Sequence, residues 1–334
     1  MKILLVNLSF LGDTILSTPV IAGLKQIFPN SELSFLTTQL SSSLLQNDPC
    51  IDKIIVYDKR NIDKGFKGLF KKAAQLKKEN FDIVYSLHRS HRTAVLLLLA
   101  KIPKRVGFKD ASLSFLYTEK RKKTLDAHAA IRNLSLLFKD VPEQELKNKN
   151  LRLFEPLYND LSKIVKNLNN NFIVMAPGSA WKTKQWHWQG YLKVAEYYKS
   201  RGRDIILIGS KEDTAICNKI SKKVDVIDVS GKIPLSDTLY IVKNAKLLVC
   251  NDSMSLHMGS AFKTPTVVIF CATSPEFGFG PWLNHDARIV QDETLGCKPC
   301  RRHGSKSCPN KTEMCMQLDA AKVLLTCEEL LDGK

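Results

Sequence analysis

Residues 3–13 read Ile3-Leu4-Leu5-Val6-Asn7-Leu8-Ser9-Phe10-Leu11-Gly12-Asp13. The apolar run over 3–8 predicts a buried strand, and Gly12-Asp13 breaks it. Ile15, Pro19, Val20, Leu24 and Ile27 then fall at helical spacing, with Pro19 tolerated if it lies in a first turn. A strand, a glycine-bearing loop and a helix make the opening unit of a parallel α/β sheet.

The same alternation continues outward from that unit. Ser31–Thr37, Ile54–Tyr57 and Phe81–Ser86 read as strands, Arg92–Leu99 as a helix, Val106–Phe108 as a short extended piece and residues 126–138 as a helix. Between Pro142 and Asn171 the chain turns polar and ends in Asn169-Asn170-Asn171, a connector with turn chemistry. A second alternation starts at Phe172–Ala176. It predicts helices over Tyr191–Ser200, Thr214–Lys222, Ser236–Lys243 and Ser255–Ala261. Its strands are Asp204–Ile208, Val226–Val229, Lys246–Cys250 and Thr266–Phe270, and Asp319–Leu331 reads as a closing helix. The 334 residues suit two domains, since single cores stop growing near about 250–300 residues. We place the join near residue 160, giving domains 1–160 and 161–334. Open α/β sheets bind ligands beyond the carboxyl ends of their strands, and the polar residues singled out below sit at such ends.

Composition narrows the class. A hydrophobic fraction of 44% is that of a globular protein. The longest apolar run, Ala94 to Ala100, is too short to span a bilayer. Asn7, Ser9 and Gly12-Asp13 interrupt the first apolar stretch too early for a signal peptide, so the expected place is the cytoplasm. Fifty Lys and Arg against 33 Asp and Glu give a formal charge of +17. Eight cations fall between Lys59 and Lys78 against Asp63 alone, and eight between Lys101 and Lys123 against Asp110 and Glu119. Such runs are either a solvated face or a surface for an anionic partner. Nucleic acid is disfavoured, because the runs lack interleaved aromatics and any nucleic-acid-binding signature.

Several motifs in order resemble one family. Ile3-Leu4-Leu5-Val6 with Leu11-Gly12-Asp13 and Pro19 is similar to its opening strand and loop. Leu87-His88-Arg89-Ser90-His91-Arg92-Thr93-Ala94, followed by Ile102-Pro103-Lys104-Arg105-Val106-Gly107-Phe108, resembles its first-domain pattern. Pro177-Gly178-Ser179-Ala180-Trp181-Lys182-Thr183-Lys184-Gln185-Trp186 resembles the start of its second domain. Asn251-Asp252-Ser253 with His257, Pro265 and Thr273-Ser274-Pro275 resemble its donor-site motifs. The family is that of the ADP-heptose:lipopolysaccharide heptosyltransferases, glycosyltransferase family 9, in its type II branch. The resemblance implies the GT-B fold, two Rossmann-like domains facing each other across a cleft, and inverting, metal-independent transfer. Its donor is ADP-heptose, and its acceptor is a phosphorylated, acidic inner-core glycolipid of lipopolysaccharide. The enzyme is then expected at the inner face of an anionic membrane, peripherally held. A different nucleotide-sugar donor serving a surface polysaccharide, or a non-catalytic protein binding anionic ligands, are the alternatives.

On their own chemistry the candidate residues keep bland readings beside the functional ones. Asp13 can cap a helix, lie on the surface or accept a proton; the resemblance implies the base that deprotonates the acceptor hydroxyl. Ser179, Lys182 and Lys184 lie in a strand-to-helix loop, where backbone N–H groups favour an anion. Lys184 matches the position implied to bind the diphosphate. Trp181, Trp186 and Trp188 suggest sugar stacking, whereas the resemblance implies that aromatics here serve largely in packing. Glu212 is either an acidic first-turn residue or, by resemblance, a nucleoside contact. Asp252 and Ser253 can cap a helix; the resemblance makes Asp252 the residue that holds the donor sugar, with Ser253 facing phosphate. His257 follows on the same helical face. Met254 stands where the family has glycine, and Cys271-Ala272-Thr273 where it has Gly-Pro-Thr, so the donor half departs from the pattern. Arg60, Arg89, Arg92, Lys104 and Arg105, near strand ends of the first domain, are candidates for the acidic acceptor.

Of nine cysteines, those at 50, 217, 250, 271 and 327 are scattered and read as small buried hydrophobes. Cys297-Lys298-Pro299-Cys300, Cys308 and Cys315 are clustered, with His303 between them. No cofactor is expected for catalysis. Three readings of the cluster stay open: a structural zinc site, one or two disulfides, or free thiols in a loop, with disulfides disfavoured by cytoplasmic redox poise.

Overall fold

A computed structural model describes residues 1–155 and 171–332. The chain divides into two compact units, Met1–Phe154 and Glu155–Lys334. The join expected near residue 160, with most of the polar connector, lies outside the described residues.

The first unit is built on six parallel strands: β1 Lys2–Val6, β2 Glu32–Thr37, β3 Lys53–Val56, β4 Ile83–Ser86, β5 Lys104–Phe108 and β6 Glu119–Arg121. Their order is β3-β2-β1-β4-β5-β6. Ile3 lies opposite Leu33 on one side and Ile83 on the other. Central strands covered by helices on both faces lose the in–out alternation of a half-exposed sheet, and Ile3 to Val6 are all fully buried. The helices are α1 Leu11–Ile15, α2 Pro19–Ile27, α3 Gln39–Leu45, α4 Gly65–Lys78, α5 His91–Leu99, α6 Ala129–Leu134 and α7 Glu143–Leu146. The periodic stretch after β1 is thus two helices, and Pro19 opens the second. Its fixed φ and missing N–H suit a first helical position and no later one.

The second unit repeats the winding. Its strands are β7 Ile173–Ala176, β8 Ile205–Leu207, β9 Ile227–Asp228, β10 Leu247–Asn251, β11 Thr266–Phe270 and β12 Ala287–Gln291, ordered β12-β11-β10-β7-β8-β9. Its helices are α8 Trp188–Lys199, α9 Thr214–Ser221, α10 Leu235–Asn244, α11 Met254–Phe262 and α12 Ala320–Leu331. In α8 the buried residues Tyr191, Val194, Ala195 and Tyr198 recur at three- and four-residue spacing, one stripe turned to the sheet. Each large apolar side chain so covered contributes about 1.5–3 kcal/mol. The closing helix α12 is tied to α8 through Glu328, whose carboxylate accepts from Tyr198 Oη at 2.7 Å and Tyr197 Oη at 3.0 Å.

In both units the chain reverses its winding direction once, between β1 and β4 and between β7 and β10. The crevice outside the carboxyl ends of such a strand pair is where doubly wound sheets bind ligands. Among the described residues no helix is long and apolar enough to cross a membrane.

Candidate functional site

In the second unit the loop after β7 carries Ser179, Lys182 and Lys184. Asn251, the last residue of β10, fixes that loop: its Oδ1 accepts from the Trp186 N–H at 3.0 Å, and its Nδ2 donates to the Pro177 carbonyl at 2.8 Å. Asp252 follows on the adjacent strand end. Lys184 Nζ lies 2.6 Å from Asp252 Oδ2, with the two side chains 12% and 5% exposed. Thr273 Oγ1, arriving after β11, donates to the same carboxylate oxygen at 2.7 Å. Three strand ends therefore converge on one desolvated ion pair.

Ser253 is the N-cap of α11 and has an extended backbone, yet its side chain makes no capping hydrogen bond. Its Oγ is buried and has no hydrogen-bond partner among the described residues. The helix start thus keeps its N–H groups and its positive dipole end for another acceptor, beside a lysine. His257 is buried one turn further along α11, and Met254 is half-buried at its first position. Ser179 is half-buried, its carbonyl accepting from Gln185 Nε2 at 2.9 Å. Lys182 points away from Asp252, with Nζ 3.7 Å from Glu313 Oε1. Of the two loop lysines the structure brings Lys184 alone to the ion pair. Trp186 is buried in the core, donating its indole N–H to the Leu318 carbonyl at 2.9 Å. Trp188 is partly buried against the same core, and Trp181 is exposed.

Glu212 lies after β8 and is exposed. Backbone N–H and the Ser210 hydroxyl hold its carboxyl below the ordinary value, so it stays ionised. The capping box of this turn is made by Ser210 and Asp213, which leaves Glu212 out of the cap. A Cβ at Gly178 would stand 2.1 Å from the Asp213 carboxylate, so the glycine is needed for close approach.

The cysteine segment packs on the back of the lysine loop. Thr183 N–H donates to the Ser305 carbonyl at 3.1 Å, and Ser305 N–H returns a bond to Thr183 Oγ1 at 2.8 Å. Gly304 passes so close that a Cβ there would stand 3.0 Å from Lys184 Cγ and from Trp181 Cβ. The Cys300 N–H donates to the Ala272 carbonyl at 2.9 Å, and the Ala272 N–H to the Thr183 carbonyl at 3.2 Å. All nine cysteines are free thiols, and Cys217, Cys250, Cys271 and Cys327 are buried. Within the cluster, backbone N–H groups of Glu313, Asn310 and Thr312 pull the Cys308 thiol below its usual value. Burial pushes Cys315 up to about 11, with neighbouring Cys300 and Cys308 adding to it. Among the described residues no three His, Cys, Asp or Glu side chains are grouped as around a metal ion.

In the first unit Asp13 is the third residue of α1 and half-buried, at the carboxyl end of β1. The N-cap position belongs to Phe10, so Asp13 is not the cap. Its surroundings are cationic. Lys123 feels the attraction of Asp13 and Asp110, but burial first, and then repulsion from Arg89 and Arg132, lower its pKa to about 8. Burial, then Lys59 and Arg89, lower His88 to about 4, so His88 is neutral near pH 7. Burial, Arg92 and Arg60 likewise depress Lys59. The cations at the ends of β3 and β4 and after β6 thus repel one another, a strain that a bound anion relieves.

The five predicted acceptor residues separate. Arg60 is exposed in the turn after β3, and Arg89 pairs with Asp110. Arg92 is half-buried and directed inward: it donates to Tyr57 Oη at 2.8 Å, Asp63 O at 2.9 Å and Gly65 O at 2.7 Å. Lys104 and Arg105 begin β5, at the amino edge of the sheet, opposite the edge that carries Asp13. Arg105 donates to the carbonyls of Leu116 and Ile102, and Lys104 pairs with Glu119 at 3.5 Å. Lys123, which interacts with Asp13, and Arg132, which neighbours Lys123, are cations that sequence reasoning missed. The signal available was the Lys120–Lys123 run, whose members look alike until β6 ends at Arg121. An open cavity of about 690 Å³ lined by Lys120, Lys122, Lys123 and Lys139 adjoins that strand end.

Comparison with known proteins places the family and the fold. The model of glycosyltransferase family 9 (heptosyltransferase) matches residues 69–310. The chain is 26% identical to lipooligosaccharide heptosyltransferase 2 of Campylobacter jejuni, covering 99% of this chain and 98% of that protein. It is 23% identical to lipopolysaccharide heptosyltransferase 2 of Escherichia coli, covering 87% and 88%. The solved structure of the E. coli ADP-heptose lps heptosyltransferase II superposes with a TM-score of 0.82 at 21% identity, covering 100% of this chain and 99% of that one. A family 9 glycosyltransferase from Veillonella parvula gives 0.84 at 22% identity, covering 100% and 98%. The two doubly wound units are therefore those of a GT-B fold. With the family model spanning well over half its length, the chain belongs to glycosyltransferase family 9, the heptosyltransferases.

Proposed function

We propose that this enzyme transfers heptose from ADP-heptose to the phosphorylated inner core of lipopolysaccharide, with inversion and without a metal ion. The observation that carries the proposal is the Lys184–Asp252 pair at 2.6 Å, set beside the uncapped start of α11. A diphosphate leaving group needs its growing negative charge met, and a lysine with a helix N-terminus supplies that in a desolvated site. The printed names of the relatives, lipooligosaccharide and lipopolysaccharide heptosyltransferase 2 and ADP-heptose lps heptosyltransferase II, support the donor and acceptor.

In this reading Asp13 accepts the proton of the acceptor hydroxyl as its oxygen bonds to the anomeric carbon. The bond from that carbon to the diphosphate oxygen breaks, and ADP leaves with the bonding pair. Lys184, the N–H groups at the start of α11 and Ser253 Oγ receive the leaving phosphates. Asp252 has Oδ2 engaged by Lys184 and Thr273 and presents Oδ1 to the donor sugar, while Glu212 serves the ribose hydroxyls. Lys59, Arg60, Arg89 and Lys123 form the cationic edge for the acceptor's acidic groups. Catalysis takes place at the cytoplasmic face of an anionic membrane.

Met254 and Cys271 favour one second reading, another nucleotide-sugar donor. A thermal-shift panel of nucleotide sugars separates the two, because ligand linkage raises the midpoint most for the true donor. ADP-heptose is expected to stabilise the protein most, and purified acceptor with ADP-heptose to yield ADP at an unchanged rate after chelator treatment. No shift and no turnover with ADP-heptose, alongside both with another donor, would reject the proposal.

A further inference from the structure

The turn after β3 and the first two turns of α4 present apolar side chains to solvent with no role in the donor or acceptor chemistry. Ile62 is 76% exposed, Phe66 79% and Phe70 58%. Phe66 and Phe70 stand one turn apart on one face of α4, while its opposite face buries Leu69, Ala73 and Leu76. Lys64, Lys67 and Lys71, all exposed, flank them. The platform beneath is rigid. Asp63 Oδ2 accepts from the Asp58 N–H at 2.9 Å and lies 3.5 Å from Lys72 Nζ. Arg92 donates to the carbonyls of Asp63 and Gly65. These bonds hold the segment with its phenyl rings outward.

We propose that this segment is a membrane-docking surface, in which Ile62, Phe66 and Phe70 enter the headgroup–acyl boundary and the flanking lysines contact anionic lipid phosphates. The occupant follows from the pairing of chemistries. Exposed aromatic side chains ringed by cations on a rigid helix match a surface with anionic groups over an apolar interior. A second copy of this chain would bring Lys64, Lys67 and Lys71 against their own equivalents and be repelled. The inference rests on the proposed function for its purpose, since a glycolipid acceptor is then delivered at the depth of the docked edge. Its test needs no turnover.

The experiment is co-sedimentation of the full chain with phosphatidylglycerol vesicles and with phosphatidylcholine vesicles, at low and high salt. Binding to the anionic vesicles alone, weakened by salt, is expected. Phe66→Ser with Phe70→Ser should lower the partition coefficient about tenfold or more, since two apolar contacts are lost. Lys67→Glu with Lys71→Glu should also abolish binding. Leu325→Ser, which removes an exposed side chain from α12 in the other unit, should bind as wild type. Unchanged thermal midpoints show that the variants fold. Absence of wild-type binding to anionic vesicles, or wild-type binding by the double serine variant, would overturn the proposal. So would a wild-type dimer that the serine variant dissociates. Turnover of a water-soluble acceptor fragment should survive the serine changes; its loss in wild type would count against the proposed function, with the docking result standing separately.

Discussion

Replacing Lys184 by Met keeps the aliphatic stem and removes the charge opposite Asp252. The carboxylate, 5% exposed, then retains the Thr273 hydrogen bond but no cation at 2.6 Å. Deleting one partner of a buried pair costs about 3–5 kcal/mol. The Thr273 bond and the slightly open Lys184 side place this pair at the lower end, about 3 kcal/mol. For a unit of about 180 residues, each kcal/mol moves the midpoint by about 2–4 °C, so thermal unfolding of the unliganded chain should begin about 6–12 °C lower. Lys184→Met with Asp252→Asn removes both charges and should recover at least half of that loss, because no uncompensated charge remains. Under the proposed function, ADP at a hundredfold its dissociation constant adds about 2.7 kcal/mol to the wild type and almost nothing to either variant. A single variant that melts within about 1 °C of wild type would refute the claim that the pair is desolvated. Full ADP stabilisation of that variant would remove Lys184 from the phosphate site.

Asp13→Ala is expected to lower turnover by at least about a hundredfold, the range of general-base contributions, with the thermal midpoint unchanged; turnover near that of wild type with an intact fold would displace the base assignment. Lys123, whose pKa is about 8, is charged below that pH and loses its proton above it. The acceptor KM should therefore rise between pH 7 and 9, and Lys123→Arg, which stays charged, should flatten that rise; identical profiles would exclude Lys123 from acceptor binding. Gly178→Ala sets a Cβ 2.1 Å from the Asp213 carboxylate and should destabilise the fold by about 1–3 kcal/mol, measured by denaturant unfolding. Ser305→Ala keeps its backbone bonds to Thr183 and should leave donor affinity within about twofold, whereas Gly304→Val, strained at φ +77° and with its Cβ 3.0 Å from Lys184 Cγ, should weaken it by about tenfold or more by displacing the loop; donor titration calorimetry checks both.

The central strands were legible because burial on both faces leaves an unbroken apolar run, as in Ile3 to Val6 and Leu247 to Cys250. β6, Glu119–Arg121, is not legible that way. It is an edge strand of three charged residues, and backbone pairing with β5 decides it, through Val106 opposite Glu119. The helix α4 hides for a related reason. Eight cations between Lys59 and Lys78 dominate its composition, and the buried Leu69, Ala73 and Leu76 are outnumbered on the wheel. The placement of Asp13 and Lys184 at strand ends follows from local pattern. The pairing of Lys184 with Asp252 does not, because it requires β7 to lie beside β10, a fact of sheet order. Arg92, a candidate for the acidic acceptor, donates to the Tyr57 hydroxyl and to the carbonyls of Asp63 and Gly65, and main-chain partners carry no side-chain signature. Met254 and Cys271 break the family's motif without breaking the fold: Cys271 is wholly buried and Met254 half-buried.

The brace on the lysine loop has a consequence for how the enzyme comes into being. Ser305, Leu318 and α12 follow every strand of their sheet in the chain, yet Thr183 and Trp186 take hydrogen bonds from, or give them to, that late segment. During vectorial synthesis the six strands of the second unit can pair before the segment emerges, since domains assemble as their elements become available. Lys184 would then wait beside Asp252 on a loop still lacking its backing. Under the proposed function the donor site is complete only once that segment has folded back, so a half-made chain is expected to hold nucleotide sugar weakly.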